Sequence, residues 1–257
     1  MADRNGSALL MGNELVTYVL QYGVYAAEAA LFVLLLRRGR WKRLVGLFLY
    51  VTFLFAVDGL ARPQFLYYFG GGSRLFAYFY WLTDVLLALG AFLLIGAFFR
   101  RACAQEGKMW GFVRLLLVSI FTLVLAVSAL SLSRNYKHLF TLFIFEFSQN
   151  LYFTCLVLNT LLYILIQQTQ NVDNELGLLV CGIGIQFAGE GACLALYHLT
   201  GGDHFARSIT PFIAAACTLG MLAVWFYAVA KMPQAATAPA RARMAPGMSA
   251  VAADVEA

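Results

Sequence analysis

The sequence predicts an all-α integral membrane protein, a bundle of seven transmembrane helices with the N-terminus outside and the C-terminus in the cytoplasm. Hydrophobic residues make up 62% of the 257 residues, against roughly 45–50% in soluble domains. Charged residues make up only 12%, about half the soluble norm. A soluble domain of this size cannot bury so much apolar surface, so lipid must cover much of the chain.

Seven apolar segments are long enough to cross a bilayer, whose hydrocarbon core of about 30 Å takes about 20 helical residues. The segments are continuous and do not alternate with polar residues, so they predict helices and not barrel strands. The fourth contains only Ser and Thr as mid-span polar residues and is predicted to face lipid or to act as a scaffold. The transmembrane domain covers residues 1–232, with helices at about 15–36, 44–61, 75–99, 109–132, 139–166, 176–199 and 209–230.

Basic residues at the helix ends predict the orientation. Five lie in the segment 37–43, and eleven lie at this end of the bundle against six at the other. The more basic end marks the cytoplasm, so the chain is predicted to be a multi-pass protein of the cell inner (plasma) membrane. One predicted cytoplasmic loop, residues 167–175, contains no Lys or Arg and does not support this orientation.

The composition of the tail and the distribution of charge restrict the function classes. The Ala-, Pro- and Arg-rich tail at 233–257 has no aromatic residue and is predicted to be a disordered cytoplasmic segment. The net charge of +5 reflects the topology, because no Lys/Arg stripe with interleaved aromatics occurs. The sequence therefore predicts no binding of nucleic acid.

Five acidic residues lie inside the predicted spans, where a charged carboxyl costs several kcal/mol. At about 1.5 Å per residue, four of them lie roughly 12–15 Å from the nearer predicted end of their helix. Asp58 is shallower, roughly 6 Å from the predicted external residue Arg62. The four deeper acids are therefore predicted to face one another near the bilayer midplane; they are Glu28, Asp84, Glu146 and Glu190.

Polar residues at helical spacing accompany three of these acids on their own helix faces. They extend the candidate site for a ligand or ion, and they are Gln21 and Tyr25 before Glu28, Gln149 and Asn150 after Glu146, and Gln186 before Glu190. No Lys or Arg is predicted at the same depth. The carboxyls are then expected to be protonated, to share protons or to bind a cation. The alternative is that each is a neutral acid that links helices by hydrogen bonds.

The predicted sixth helix contains a glycine-rich run, residues 182–191. Small residues four apart let helices approach closely in a membrane. Gly184, Ala188 and Ala192 are therefore predicted to form a packing face.

No cofactor is predicted from the sequence. His138 and His198 fall at the predicted external ends of the fifth and sixth helices. Histidines on facing helices ligate haem in membrane cytochromes, and a zinc site would combine the two with an acid. Both groups remain alternatives to histidines that simply lie at the membrane interface.

Two stretches carry a resemblance to other proteins. They are the basic segment 37–43 and the aromatic stretch Phe-Ala-Tyr-Phe-Tyr-Trp-Leu-Thr-Asp at 76–84. Over residues 34–99, about a quarter of the chain, the sequence resembles uncharacterised bacterial multi-spanning inner-membrane proteins. The resemblance implies a bacterial inner membrane and no particular activity.

The acids inside the spans favour a small transporter, or a transport-like binding protein, for protons, a cation or a small polar solute. A second hypothesis is a non-catalytic subunit or sensor that binds membrane-protein partners in a larger complex. A third is a membrane-embedded enzyme that modifies lipid, with paired acids as general acid and base. The sequence offers no nucleophile motif for such an enzyme, and no catalytic residue is assigned.

Overall fold

The computed structural model describes residues 3–70, 72–104, 107–134, 139–168, 174–200 and 204–231, and the tail predicted at 233–257 lies outside them. Seven helices in this part of the chain are long and apolar enough to cross a membrane, as predicted. The described elements are α1 (Asp3–Arg37), a 3₁₀ turn (Arg40–Lys42), α2 (Val45–Leu54), a π-helical segment (Phe55–Ala61), α3 (Arg62–Phe69), α4 (Arg74–Ala102), α5 (Gly107–Arg134), α6 (Leu139–Gln168), α7 (Asn174–Leu199) and α8 (His204–Lys231).

Six of the spans form a ring. Helix α1 packs against α2 and α8, α8 against α7, α7 against α6, α6 against α4, and α4 against α2. Helix α5 packs outside this ring against α6 and α4, as predicted for a lipid-facing or scaffolding helix. The hydrophobic core lies where the ring helices meet and includes the fully buried Leu31, Val51, Ile95, Leu151 and Trp225.

The second span is longer than predicted and runs without a break from Val45 to Phe69 through α2, the π-helical segment and α3. The prediction ended it at Ala61 and placed Arg62 in an external loop. A π-helical turn shifts the hydrogen-bond ladder just before Pro63, so the missing N–H of this proline does not stop the helix. Gly70, with a φ of 71°, ends α3 instead. Arg62 therefore lies within the span and not in an external loop.

Glycines let α7 approach its neighbours closely. A Cβ atom added at Gly182 would lie 2.6 Å from Nε1 of Trp225 on α8, and one at Gly189 would lie 2.5 Å from Sγ of Cys217. The predicted packing face was wrong in its details, because Ala188 and Ala192 are exposed. The contacts to α8 instead involve glycines seven residues apart.

Gly182→Ala is expected to lower the free energy of unfolding by about 1–3 kcal/mol, because the added methyl group overpacks a rigid contact. Trp225 is fully buried, and its Nε1–H donates to the Leu179 carbonyl at 2.9 Å, so the ring cannot move without loss of this bond. Equilibrium unfolding in mixed micelles measures the change. Gly177→Ala on the same helix is the control, since nothing lies within 4 Å of the added atom. It is expected to raise the free energy of unfolding by roughly 0.5–1 kcal/mol, because alanine favours the helix more than glycine does. Equal stability of the two variants would contradict the packing described here.

Candidate functional site

Arg62 lies at the centre of a polar site inside the ring. Its Nη1 donates to Oδ1 of Asp58 at 2.6 Å, and its Nε donates to Oγ1 of Thr83 at 3.1 Å. Its Nη2 donates to the Tyr80 carbonyl at 3.4 Å, and its guanidinium carbon lies 4.2 Å from the centroid of the Tyr80 ring. The prediction that no Lys or Arg accompanies the carboxyls was therefore wrong, because the second span continues past Ala61 and carries Arg62 inside.

Asp84 of α4 bridges this arginine to α6. Its Oδ2 accepts a hydrogen bond from the Ser148 hydroxyl at 2.6 Å, and its Oδ1 accepts one from the Tyr152 hydroxyl at 3.1 Å. The same Oδ1 lies 3.9 Å from Nη2 of Arg62. Asp84 is thus satisfied by two hydroxyl donors one helical turn apart, which the sequence analysis did not assign to the site.

Glu28 is the least satisfied polar group of the site. It is fully buried on α1, on one helix face with Val24, Leu31 and Leu35. Neither carboxyl oxygen has a hydrogen-bond partner among the described residues. A buried polar atom without a hydrogen-bond partner costs free energy. Such an atom is explained either by a functional role or by a water or ion that binds it. Asp58 and Arg62 lie within electrostatic range of Glu28.

Glu190 of α7 completes the group. It accepts a hydrogen bond from Nε2 of Gln186 at 3.2 Å, one turn earlier on the same helix. Asp84, Asp58 and Arg62 lie within its electrostatic range. Arg62 and the four carboxyl groups around it are named here the Arg62 cluster, which comprises Glu28, Asp58, Arg62, Asp84 and Glu190.

The polar stripe predicted on α1 leads toward the cluster. Gln21 is exposed and donates from Nε2 to the Tyr25 hydroxyl at 2.8 Å. Tyr25 is partly buried and lies within electrostatic range of Asp58, Glu28 and Arg62. The stripe therefore runs along one face of α1 from an exposed amide to the fully buried Glu28, with a hydrogen bond between Gln21 and Tyr25 only.

Glu146 and its predicted companions do not join the cluster. Glu146 precedes Ser148 by two residues, which places it roughly 200° around α6 from the side that faces Asp84. Asn150 points to α5 instead, where its Nδ2 donates to Oγ of Ser128 at 3.2 Å. Gln149 is partly buried, and the structure gives it no bond to the cluster. Residue counting assigned Glu146 the same depth as the other three acids, but it could not predict the direction of its side chain.

The cluster has an accessible side and a closed side. The side chains of Arg62, Asp58 and Asp84 are 15%, 23% and 19% exposed, whereas Glu28 is 0% exposed. Asp58 belongs to the π-helical segment, and π-helical turns occur frequently at functional sites. Asp58 and Arg62 are four residues apart in the sequence, and this helical spacing was the signal from which the pair could have been predicted.

The charge balance of the cluster limits its ionisation. Four ionised carboxylates around one guanidinium would leave three net negative charges in the membrane interior. Such an arrangement is costly, because lipid and protein solvate charge poorly. The cluster would cost less free energy with some of its carboxyls protonated or with a bound cation.

A second buried charge network lies at the basic end of the bundle. Glu175 at the start of α7 accepts from Nη1 of Arg40 and from Nη2 of Arg101, each at 2.8 Å. Nη2 of Arg43 lies 3.3 Å from the same carboxylate. The sequence analysis assigned these arginines to topology alone. The loop 167–175, which did not fit the basic pattern, thus leads into the carboxylate that these arginines share.

The metal alternatives fall on residues that the structure does not place. His138 lies outside the described residues, and the side chain of His198 is also outside them. Within the described part of the chain, no group of three or more His, Cys, Asp or Glu side chains is arranged to hold a metal ion. Comparison with protein-family models, with curated proteins and with solved structures finds no match for this chain.

Proposed function

We propose that this chain is a small membrane transporter in which the Arg62 cluster binds protons and couples them to the movement of a cation or small polar solute. The observation that carries the proposal is the fully buried Glu28, whose two carboxyl oxygens have no partner among the described residues. A carboxyl that served only to link helices would be hydrogen-bonded to a neighbour. Asp84 fits that description, since α6 donates to both of its oxygens, and Glu28 does not.

Arg62 provides the element that responds to protonation. It is paired with Asp58 on its own span and lies 3.9 Å from Asp84 on α4. A planar guanidinium with five N–H donors can bind two carboxylates at once or exchange one for the other. Loss of a proton from Glu28 or Glu190 adds a carboxylate within electrostatic range of this guanidinium. We propose that the resulting competition shifts the second span relative to α4.

We further infer a bacterial inner-membrane location, with the basic end of the bundle in the cytoplasm and the N-terminus outside. With Arg62 now placed inside the second span, eleven basic residues at this end against five at the other support this orientation. The network around Glu175 is consistent with one basic end, because it joins the connection after α1, the end of α4 and the start of α7.

Proton flux into liposomes tests the proposed function. The purified protein is reconstituted with a pH-sensitive dye inside, and a potassium diffusion potential drives protons inward with and without a panel of cationic and polar solutes. Glu28→Gln is expected to abolish the protein-dependent flux, because an amide cannot carry a proton. Glu146→Gln, which alters an acid outside the cluster, is expected to keep the wild-type flux.

Infrared spectroscopy supplies an independent readout that needs no solute. A protonated Glu28 gives a C=O stretching band of a carboxylic acid, which Glu28→Gln removes and Glu146→Gln retains. Wild-type flux and an unchanged carboxylic-acid band in Glu28→Gln would overturn the proposal.

A further inference from the structure

A pocket opens at the basic end of the bundle between the start of α2 and the end of α4. Its volume is about 520 Å³. Three arginines line one part of it, namely Arg43, Arg100 and Arg101. The remaining wall includes the apolar side chains of Leu47 and Phe98. The pocket therefore combines guanidinium groups with an apolar wall.

Among the described residues that line the pocket, the charged side chains are all arginines. Arg43 and Arg101 share the single carboxylate of Glu175 with Arg40. Arg100 is exposed, and it has no hydrogen-bond or ion-pair partner among the described residues. Arg100 therefore offers its guanidinium N–H donors to an anion.

The first turn of α2 adds to this positive potential. Val45, Gly46 and Leu47 line the pocket, and the first N–H groups of a helix have no partner within the helix. The N-cap residue is Leu44, which provides no side-chain hydrogen bond. Peptide N–H groups at a helix start and arginine side chains both bind phosphate oxygens.

We propose that this pocket binds the phosphate group of an anionic phospholipid headgroup. The arginines lie at the ends of membrane spans, close to where the headgroups of a bilayer would lie, and basic pockets between such helices bind anionic headgroups. The apolar wall suits the glycerol and acyl carbons that accompany a lipid phosphate. This inference is independent of the proton site, which lies within the spans.

Native mass spectrometry of the detergent-purified protein tests the proposal with phosphatidylglycerol, phosphatidylcholine and inorganic phosphate as probes. One phosphatidylglycerol is expected to bind about 10-fold more tightly than phosphatidylcholine, and Arg100→Gln is expected to remove this preference, because a charge-assisted hydrogen bond is worth about a factor of ten. Arg74→Gln is the matched control, since Arg74 is exposed at the opposite end of the same helix. It should bind both lipids as the wild type does.

Three outcomes would overturn the assignment. Equal binding of the two lipids, or an unchanged preference in Arg100→Gln, would show that the pocket does not recognise the headgroup. Arg100-dependent binding of inorganic phosphate that displaces phosphatidylglycerol would identify a soluble phosphate compound as the ligand instead. The melting temperature without lipid checks that Arg100→Gln is folded, and it should match that of the wild type. The shift of this temperature on addition of each probe then reports binding.

Discussion

Arg62→Met is expected to lower the free energy of unfolding by about 3–5 kcal/mol, which is the usual cost of removing one partner from a buried ion pair. The change leaves Asp58 without its 2.6 Å partner and Asp84 without the cation 3.9 Å away. Methionine keeps much of the side-chain volume, so the loss reports on charge and not on packing. Equilibrium unfolding in mixed micelles provides the measurement.

A double variant separates the ion pair from other contributions of Arg62. Asp58→Asn combined with Arg62→Met removes the uncompensated carboxylate and is expected to recover part of the lost stability. Arg74→Gln, a substitution at an exposed position of α4, is expected to stay within roughly 0.5 kcal/mol of the wild type. Equal stability of the single and double variants would contradict a buried ion pair at Asp58.

Glu175→Gln is expected to lower the free energy of unfolding by about 3 kcal/mol. The reason is that Arg40, Arg43 and Arg101 share this buried carboxylate. An amide keeps the shape but leaves three guanidinium groups to repel one another. The same unfolding measurement applies at the basic end of the bundle.

The matched control for this network is Arg43→Gln. The Arg43 side chain is 42% exposed, whereas that of Glu175 is 7% exposed. Solvent screens an exposed ion pair, so Arg43→Gln is expected to lower the free energy of unfolding by less than about 1 kcal/mol. Similar losses in the two variants would show that the carboxylate does not act as the shared centre.

The seven spans could be predicted from the sequence, whereas the depth of the acids in the membrane stays a prediction. A bilayer demands continuous apolar segments of a fixed minimum length, and all seven are helices in the structure. Because a helix rises by a fixed distance per residue, counting from the helix ends indicates depth. Asp58 and Arg62 lie within electrostatic range of Glu28 and of Glu190, and that the predicted acids form one site stays a prediction.

Rotation about the helix axis and the exact end of a helix could not be predicted in the same way. Glu146 and Ser148 differ by two positions, yet only Ser148 faces Asp84, because the packing partner of α6 decides the direction. The π-helical segment before Arg62 depends on how the second span packs against its neighbours. Basic residues near membranes usually set the topology. The sequence therefore gave no reason to predict that Arg40 and Arg101 also donate hydrogen bonds to Glu175.

The contact between α1 and α8 has a consequence for biosynthesis. The ring closes only when the last of the seven spans has been inserted beside the first, and Arg38 then donates to the carbonyl groups of Val229 and Ala230 at the end of α8. Until that moment α1 lacks its later neighbour in the membrane while it already carries the carboxyl of Glu28. Helix α1 can pack against α2 at once, but its other neighbour in the ring, α8, begins more than 160 residues after α1 ends. Insertion factors that shield polar groups in single helices would be expected to act during this interval.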